Sequence, residues 1–295
     1  MYFLASFVMR GRLHAYVAAA VGNVVPFISP ATVGLVSLRK GVLEGSLVCL
    51  WGLLPLIVAY YYGSSDNFLS LLSAVNLLNV LFVTYILSFR GDWGTTLFYL
   101  VFSSFILMSG ILLLFKGDFT SLVIRISEAF KNASQSGNIS IEAPSERTIS
   151  ALMLWTLALN TFLGVIIARW WQALLYNPGG FGEEFQGLKI KKIPAVIIVL
   201  SFLVFSVLFS DYSLWAQLIL FPMLISGIAL LHWIVRNRNL GKGVLFVSYF
   251  ALVFFTPFVA AIFVFLGTLD CFVNLRDKLS YCLLYTSDAA DERLS

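Results

Sequence analysis

Charge is the scarcest feature of this chain. Of its 295 residues only 12% are Asp, Glu, Lys or Arg, about half of what a soluble domain uses to clothe its surface. That excludes a free-standing globular protein. Cysteine is scarce too. Cys49, Cys271 and Cys282 form no CxxC pair and no metal-type spacing, so a disulfide scaffold and a zinc ribbon are excluded and three small apolar fillers are expected. The two histidines, His14 and His232, stand near span ends, and no His/Cys/Asp/Glu cluster has ligand spacing, so no metal site is nominated. GxSxG, a Walker loop, HExxH and a pair of intramembrane aspartates are all missing. No catalytic residue and no cofactor follow, and the expectation is a protein that is not an enzyme. With a net charge of only +4, no nucleic-acid partner is expected.

What is present is apolar: 60% hydrophobic residues, 27 Phe, 7 Trp and a mean hydropathy of +0.92. Uninterrupted apolar runs of about 20 residues are long enough to cross the hydrocarbon core. Six read as clear spans: Gly41–Tyr62, Phe68–Phe89, Gly94–Phe115, Ile149–Trp171, Pro194–Ser210 and Leu214–Val235. The two ends are less simple. Leu13–Leu38 is interrupted by Pro26 and Pro30, and Val244–Val273 is too long for one untilted span and carries Pro257; either can be one tilted helix or a hairpin of two short ones. The fold class expected is all-α, a multi-pass helical integral membrane bundle of about eight hydrophobic segments with the lipid bilayer around it. Residues 1–281 read as one membrane domain. The run CLLYTSDAADE, Cys282–Glu292, looks like an in-frame sequencing-adapter translation, so 282–295 is expected to be a non-native tail.

Charge placement gives an orientation. Arg39/Lys40, Arg90, Lys189/Lys191/Lys192 and Arg236/Arg238/Lys242 occupy alternate connections, while the short connections between them hold only Asp66 or Asp211. The positive-inside rule puts the basic set in the cytoplasm. Arg10 and Arg12 join it only if the first apolar segment is a hairpin, which favours the hairpin. In the long outer loop, Phe119, Leu122, Val123, Ile126 and Phe130 recur at helical spacing against Asp118, Arg125, Glu128 and Lys131. That is an amphipathic helix lying on the membrane or capping the bundle.

Three sets of residues are candidates for function. Asn76 and Asn79 share a face of one span, and Asn160 sits beside Thr161 centrally in another. Amides in lipid seek partners on other helices, so interhelical glue and ligand contact both fit. Glu44 follows Lys40 by four residues, so an ion pair between them is expected; Asp270 can pair with Arg276 or face water. Last, Asn177, Pro178, Gly179 and Gly180 must turn, and Phe181, Phe185 and Leu188 then line one side of a short helix with Glu183 and Glu184 on the other. A loop lying flat on the membrane and a docking surface for a partner both fit this stretch.

The run RWWQALLYNPGGFGEEFQGL, Arg169–Leu188, resembles the YybS-like family of bacterial integral membrane proteins, a domain of unknown function. Leu38-Arg39-Lys40-Gly41 with Gly45, and Leu266–Asp270 followed by Arg276, support the resemblance, which extends from Arg10 to Lys278. The family is distantly similar to the substrate-binding S components of energy-coupling-factor transporters. The resemblance implies a bacterial inner-membrane location, a small apolar or vitamin-like solute, and a transmembrane coupling protein as partner. It also implies docking through small residues four apart on the first helix, where Ala15 and Ala19 stand. The alternative is a non-transporting scaffold that holds a partner through the loop from Asn177 to Phe181.

Overall fold

The computed structural model describes residues 1–25, 27–63, 67–137 and 142–279. Pro26, Asp66 and the 282–295 tail lie outside the described residues. Helices α1 (Tyr2–Met9), α2 (Arg12–Val21) and α3 (Ile28–Lys40) precede the long apolar α4 (Val42–Tyr62), α5 (Asn67–Arg90) and α6 (Trp93–Leu114). Then come the amphipathic α7 (Lys116–Gly137), the long α8 (Glu146–Tyr176) and the short α9 (Gly180–Gln186). The chain continues through α10 (Lys192–Leu208), a 3-10 turn at Ser210–Tyr212, α11 (Ser213–Ile219), α12 (Phe221–Asn237), α13 (Gly243–Phe254) and α14 (Thr256–Val273). Among the described residues there is no strand. Five helices (α4, α5, α6, α8, α14) are long and apolar enough to cross a membrane, six if the bent α11–α12 pair counts as one span. The chain is a multi-pass helical membrane bundle.

Prolines set most of the departures from the simple span count. Leu214–Val235, expected as one span, bends by 42° between α11 and α12. Pro222 has no amide hydrogen to donate and its ring obstructs the preceding turn, so a fresh helix starts at Phe221 with the proline in its first turn. Val244–Val273 divides at Phe255, two residues before Pro257, into α13 and α14. Helices α12 and α14 then pack antiparallel at very short range. A Cβ on Gly227 would fall 2.0 Å from the Phe263 carbonyl oxygen, and one on Gly267 2.2 Å from that of Met223, so only glycine lets these backbones approach.

The first apolar segment is a hairpin. Arg12 of α2 meets Glu44 near the start of α4, and Ala19 lies beside Gly52 at its middle. Helix α3 returns the other way, with Ser29 beside Gly52 and Ser37 beside Gly45. Helix α2 therefore begins, and α3 ends, at the arginine-rich end of the bundle, and their tip reaches only the midpoint of α4. This is a re-entrant hairpin, pinned where Asn23 Nδ2 donates to the Gly52 carbonyl at 2.8 Å. Gly41, at φ +92°, reverses the chain between α3 and α4. Because of that turn Lys40 and Glu44 do not share a helix, and Glu44 pairs with Arg12 (Nε–Oε2 3.1 Å) instead of the expected Lys40.

Helix α3 is the buried centre. Every residue from Ser29 to Ser37 is buried between α4, α5 and α8. Small residues permit it: a Cβ on Gly34 would come within 2.7 Å of Ala168 Cβ, and one on Gly164 within 2.7 Å of Pro30 Cβ. The same economy of size corrects the expectation for Ala15 and Ala19. They are 2% and 0% exposed and pack with Val48 and Cys49 of α4 inside this chain's own core, so they do not present a docking face.

Contacts of charged side chains sort to the two ends. At the basic end Lys191 lies 3.5 Å from Asp92 and Arg39 stacks 4.1 Å over Tyr176. At the far end α7 caps the bundle: Phe119 and Leu122 are buried, Phe119 packs 5.2 Å from Phe68, and Tyr60 donates to Asp118 at 2.7 Å. Cys49 and Cys271 are free and buried, as fillers should be.

Candidate functional site

Asn76 and Asn79, three residues apart on α5, point toward α6 and α8 but do different things. Asn79 Nδ2 donates to Ser104 Oγ (3.2 Å) and Thr161 Oγ1 (3.1 Å), and its carbonyl accepts from Ser103 Oγ (2.7 Å). Both amide hydrogens and the oxygen are thus used, and Asn79 is a knot joining three helices. Thr161 hands the network on by donating to Asn76 Oδ1 at 2.9 Å. Asn76 is 7% exposed, and among the described residues its amide nitrogen has no hydrogen-bond partner.

Asn76 borders a cavity of about 140 Å³. The hairpin tip supplies Asn23, Phe27 and Pro30, α5 supplies Ser73 and Asn76, and α8 supplies Thr156 and Asn160. Asn160 donates to the Thr156 carbonyl of its own helix at 2.9 Å. Among the described residues no ionisable side chain lines the space. Asn76 lies nine residues along α5 from Asn67, about 14 Å at 1.5 Å per residue, so the cavity stands near the bilayer midplane on the far-end side of the hairpin. Toward the basic end the same helices close up through Gly34 and Gly164. Asn76 and Asn160 thus meet in one site, and Asn79 lies just outside it. Asn23 went unnoticed in the sequence, where an amide at a proline-broken tip was its one available signal.

The loop after α8 is the second candidate. Gly179 takes φ +90°, which ordinary side chains resist, and the turn from Asn177 to Gly179 is exposed. Its base is braced. Glu184 accepts from Trp93 Nε1 at 2.6 Å and from Arg169 Nε at 2.9 Å, and Glu183 from Arg236 Nη2 at 3.1 Å. Phe181 and Phe185 pack on the core, with the Phe185 ring 5.4 Å edge-on from His232. Arg276 closes the structure from the C-terminal side. It pairs with the fully buried Asp270 at 3.0 Å and donates to the carbonyls of Gln186 and Leu188. Burial pushes the nearby Asp92 carboxyl up, but the Thr95 hydroxyl and amide together with Lys191 outweigh it and hold it below the ordinary carboxylate range.

Among the described residues no three His, Cys, Asp or Glu come together as metal ligands do. No family model, curated protein or solved structure matches the chain. The fold and its two candidate sites define a multi-pass helical membrane protein with a neutral, amide-lined cavity and a braced, exposed loop at its basic end.

Proposed function

We propose that this chain is a solute-binding subunit of a small-solute transporter in a bacterial inner membrane. In this reading it is similar to the YybS-like family and distantly to S components, works with a transmembrane coupling protein, and performs no chemistry of its own. The observation that carries the reading is the amide-lined cavity over a re-entrant tip. Irregular backbone at membrane depth is tolerated where it is buried in protein or lines a water-filled space, and transporter sites are built from such interrupted helices near the midplane. With the basic end cytoplasmic by the positive-inside rule, the cavity stands on the side from which an external solute arrives. Hydroxyls and amides without a charge suit a small uncharged solute. Because Ala15 and Ala19 serve the chain's own core, the coupling partner is assigned to the exposed turn from Asn177 to Gly179.

Native mass spectrometry of the gently solubilised protein tests this. The wild type is expected to carry a small-molecule adduct that Asn76→Leu loses, and a co-purifying membrane protein that Gly179→Val loses. An adduct retained equally by Asn76→Leu would remove the cavity from consideration. A partner without any adduct would favour the second reading, a non-transporting scaffold, for which the braced loop is the supporting feature.

A further inference from the structure

A second recess, near the far end, shares no lining residue with the amide cavity. It has a volume of about 670 Å³ between α6, α8, α10 and α11. Its walls are aromatic: the Phe105 ring lies 6.1 Å from that of Phe205 and 5.7 Å from that of Trp215. Leu113 on its lip is 82% exposed, so the recess opens sideways toward lipid tails. Its rim is charged. Arg147 is committed to Asp211 and lies over Tyr212. Lys116 and Glu146 also line the rim, both exposed and neither ion-paired among the described residues. From Leu114, the last residue of α6 before Lys116 opens α7, down to Phe105 is nine residues, about 14 Å at 1.5 Å per residue. That is one leaflet's share of a hydrocarbon core of about 30 Å.

We propose that this cleft holds one zwitterionic phospholipid of the leaflet at that end. An acyl chain lies along Phe105, Phe205 and Trp215, the phosphate meets Lys116 and the ammonium meets Glu146. The depth fits a tail, and the polarity gradient from rim to floor runs the same way as the bilayer's own. One uncommitted cation and one uncommitted carboxylate lining the same recess match a headgroup bearing both charges. An anionic headgroup would set Glu146 against a like charge, and an apolar solute would leave both rim charges unmatched.

Brominated acyl chains quench tryptophan on contact, which supplies the test. Full-length protein is reconstituted with phosphatidylethanolamine or phosphatidylglycerol carrying the same dibrominated chains. The share of quenching due to Trp215 is taken as the difference between wild type and Trp215→Phe, with thermal melting confirming that the variant is folded. The expected result is Trp215 quenching with an apparent affinity about fivefold higher for the ethanolamine lipid, the effect of one interfacial charge. In Glu146→Gln the preference should collapse, and in Ser109→Phe, which fills the cleft, Trp215 quenching should fall away. Equal quenching by both lipids in the wild type would reveal ordinary boundary lipid and overturn the proposal. So would the absence of any Trp215 share with either lipid.

Discussion

Replacing Arg276 with Met would cut the tie between the segment after α14 and the loop at the base of α9. The guanidinium pairs with Asp270 Oδ2 at 3.0 Å and donates to Leu188 O at 2.6 Å and to Gln186 O. Asp270 is fully buried and the Arg276 side chain is 12% exposed, so water screens this pair little. Met keeps the packing of the aliphatic stem and removes only the donors. Left behind are a buried carboxylate, holding just the Arg276 backbone amide at 3.4 Å, and two carbonyls. Breaking one side of a buried pair costs about 3–5 kcal/mol. At about 2–4 °C per kcal/mol for a chain of this size, the melting temperature should fall by roughly 6–20 °C. The lower part of that range is expected, because the loop carbonyls can find water once freed.

The chain carries its own reporters for this measurement. Cys49 and Cys271 are buried and free, and a thiol-reactive dye lights up when heat exposes them. With Cys282 replaced, Cys49→Ser leaves a reporter one residue from Asp270, and Cys271→Ser leaves one in α4, in a separate cluster. Arg276→Met should lower the Cys271 transition more than the Cys49 transition. The double variant Asp270→Asn with Arg276→Met should recover part of the loss, since the unpaired charge is gone. If both transitions stay within about 2 °C of wild type, the pair carries no weight and the reasoning fails.

Three further outcomes follow from other parts of the structure. Ala19→Leu should destabilise the isolated protein by about 1–3 kcal/mol through overpacking against α4, read as a lower detergent melting temperature; an unchanged melt with lost partner binding would return this face to docking. Asp92 caps α6 by accepting from the Thr95 amide at 3.2 Å, and its folded pKa lies below its unfolded one. Its contribution is therefore complete above the unfolded carboxylate range and lost as pH falls through the lower folded value. The melting gap between wild type and Asp92→Ala, about 1 kcal/mol for such a cap, should hold from neutral pH to about 5 and shrink below about 4; a gap that widens on acidification would contradict the assignment. Cysteines introduced at Gln135 and Gly187, both exposed, should label oppositely with an impermeant reagent in intact cells, at 135 and not at 187. The reverse pattern would invert the orientation.

The four spans that became α4, α5, α6 and α8 were legible because crossing a bilayer fixes a length and a hydropathy, and both are written directly in the residues. Pro194–Ser210, read the same way, became the 17-residue α10, too short to count with them. The hairpin was legible for a similar reason, since Arg10 and Arg12 had to share a side with Arg39 and Lys40. The break at Phe221 was missed although Pro222 stood in view, because a hydropathy run does not register a missing amide hydrogen. Pairings were the least readable. Glu44 has Lys40 four residues away in sequence, and only the turn at Gly41 removes that partner and lets Arg12 take its place. Ala15 and Ala19 form a small face by spacing alone, but spacing cannot say whether the helix that meets it belongs to the same chain.

The candidate site was half legible for a geometric reason. Asn76 and Asn79 share a face, yet three residues of helix rise separate them by about 4.5 Å. That is enough to put one amide at a cavity and the other inside a closed knot of hydroxyls. A bundle that only had to span the membrane would not need the difference. It could also avoid the buried hydroxyls of Ser29, Thr32 and Ser37 on α3, which have no hydrogen-bond partner among the described residues. Each such group costs about 1–3 kcal/mol when left unpaired, and alanine in their place would fill the same helix. All three lie on the re-entrant helix whose tip floors the amide cavity. Trp171 Nε1 on α8 and Ser226 Oγ on α12 are also unpaired among the described residues, but three of the five such groups fall on this one short helix. That argues for a hairpin that does something more than fill space, and so for the binding reading over an inert scaffold.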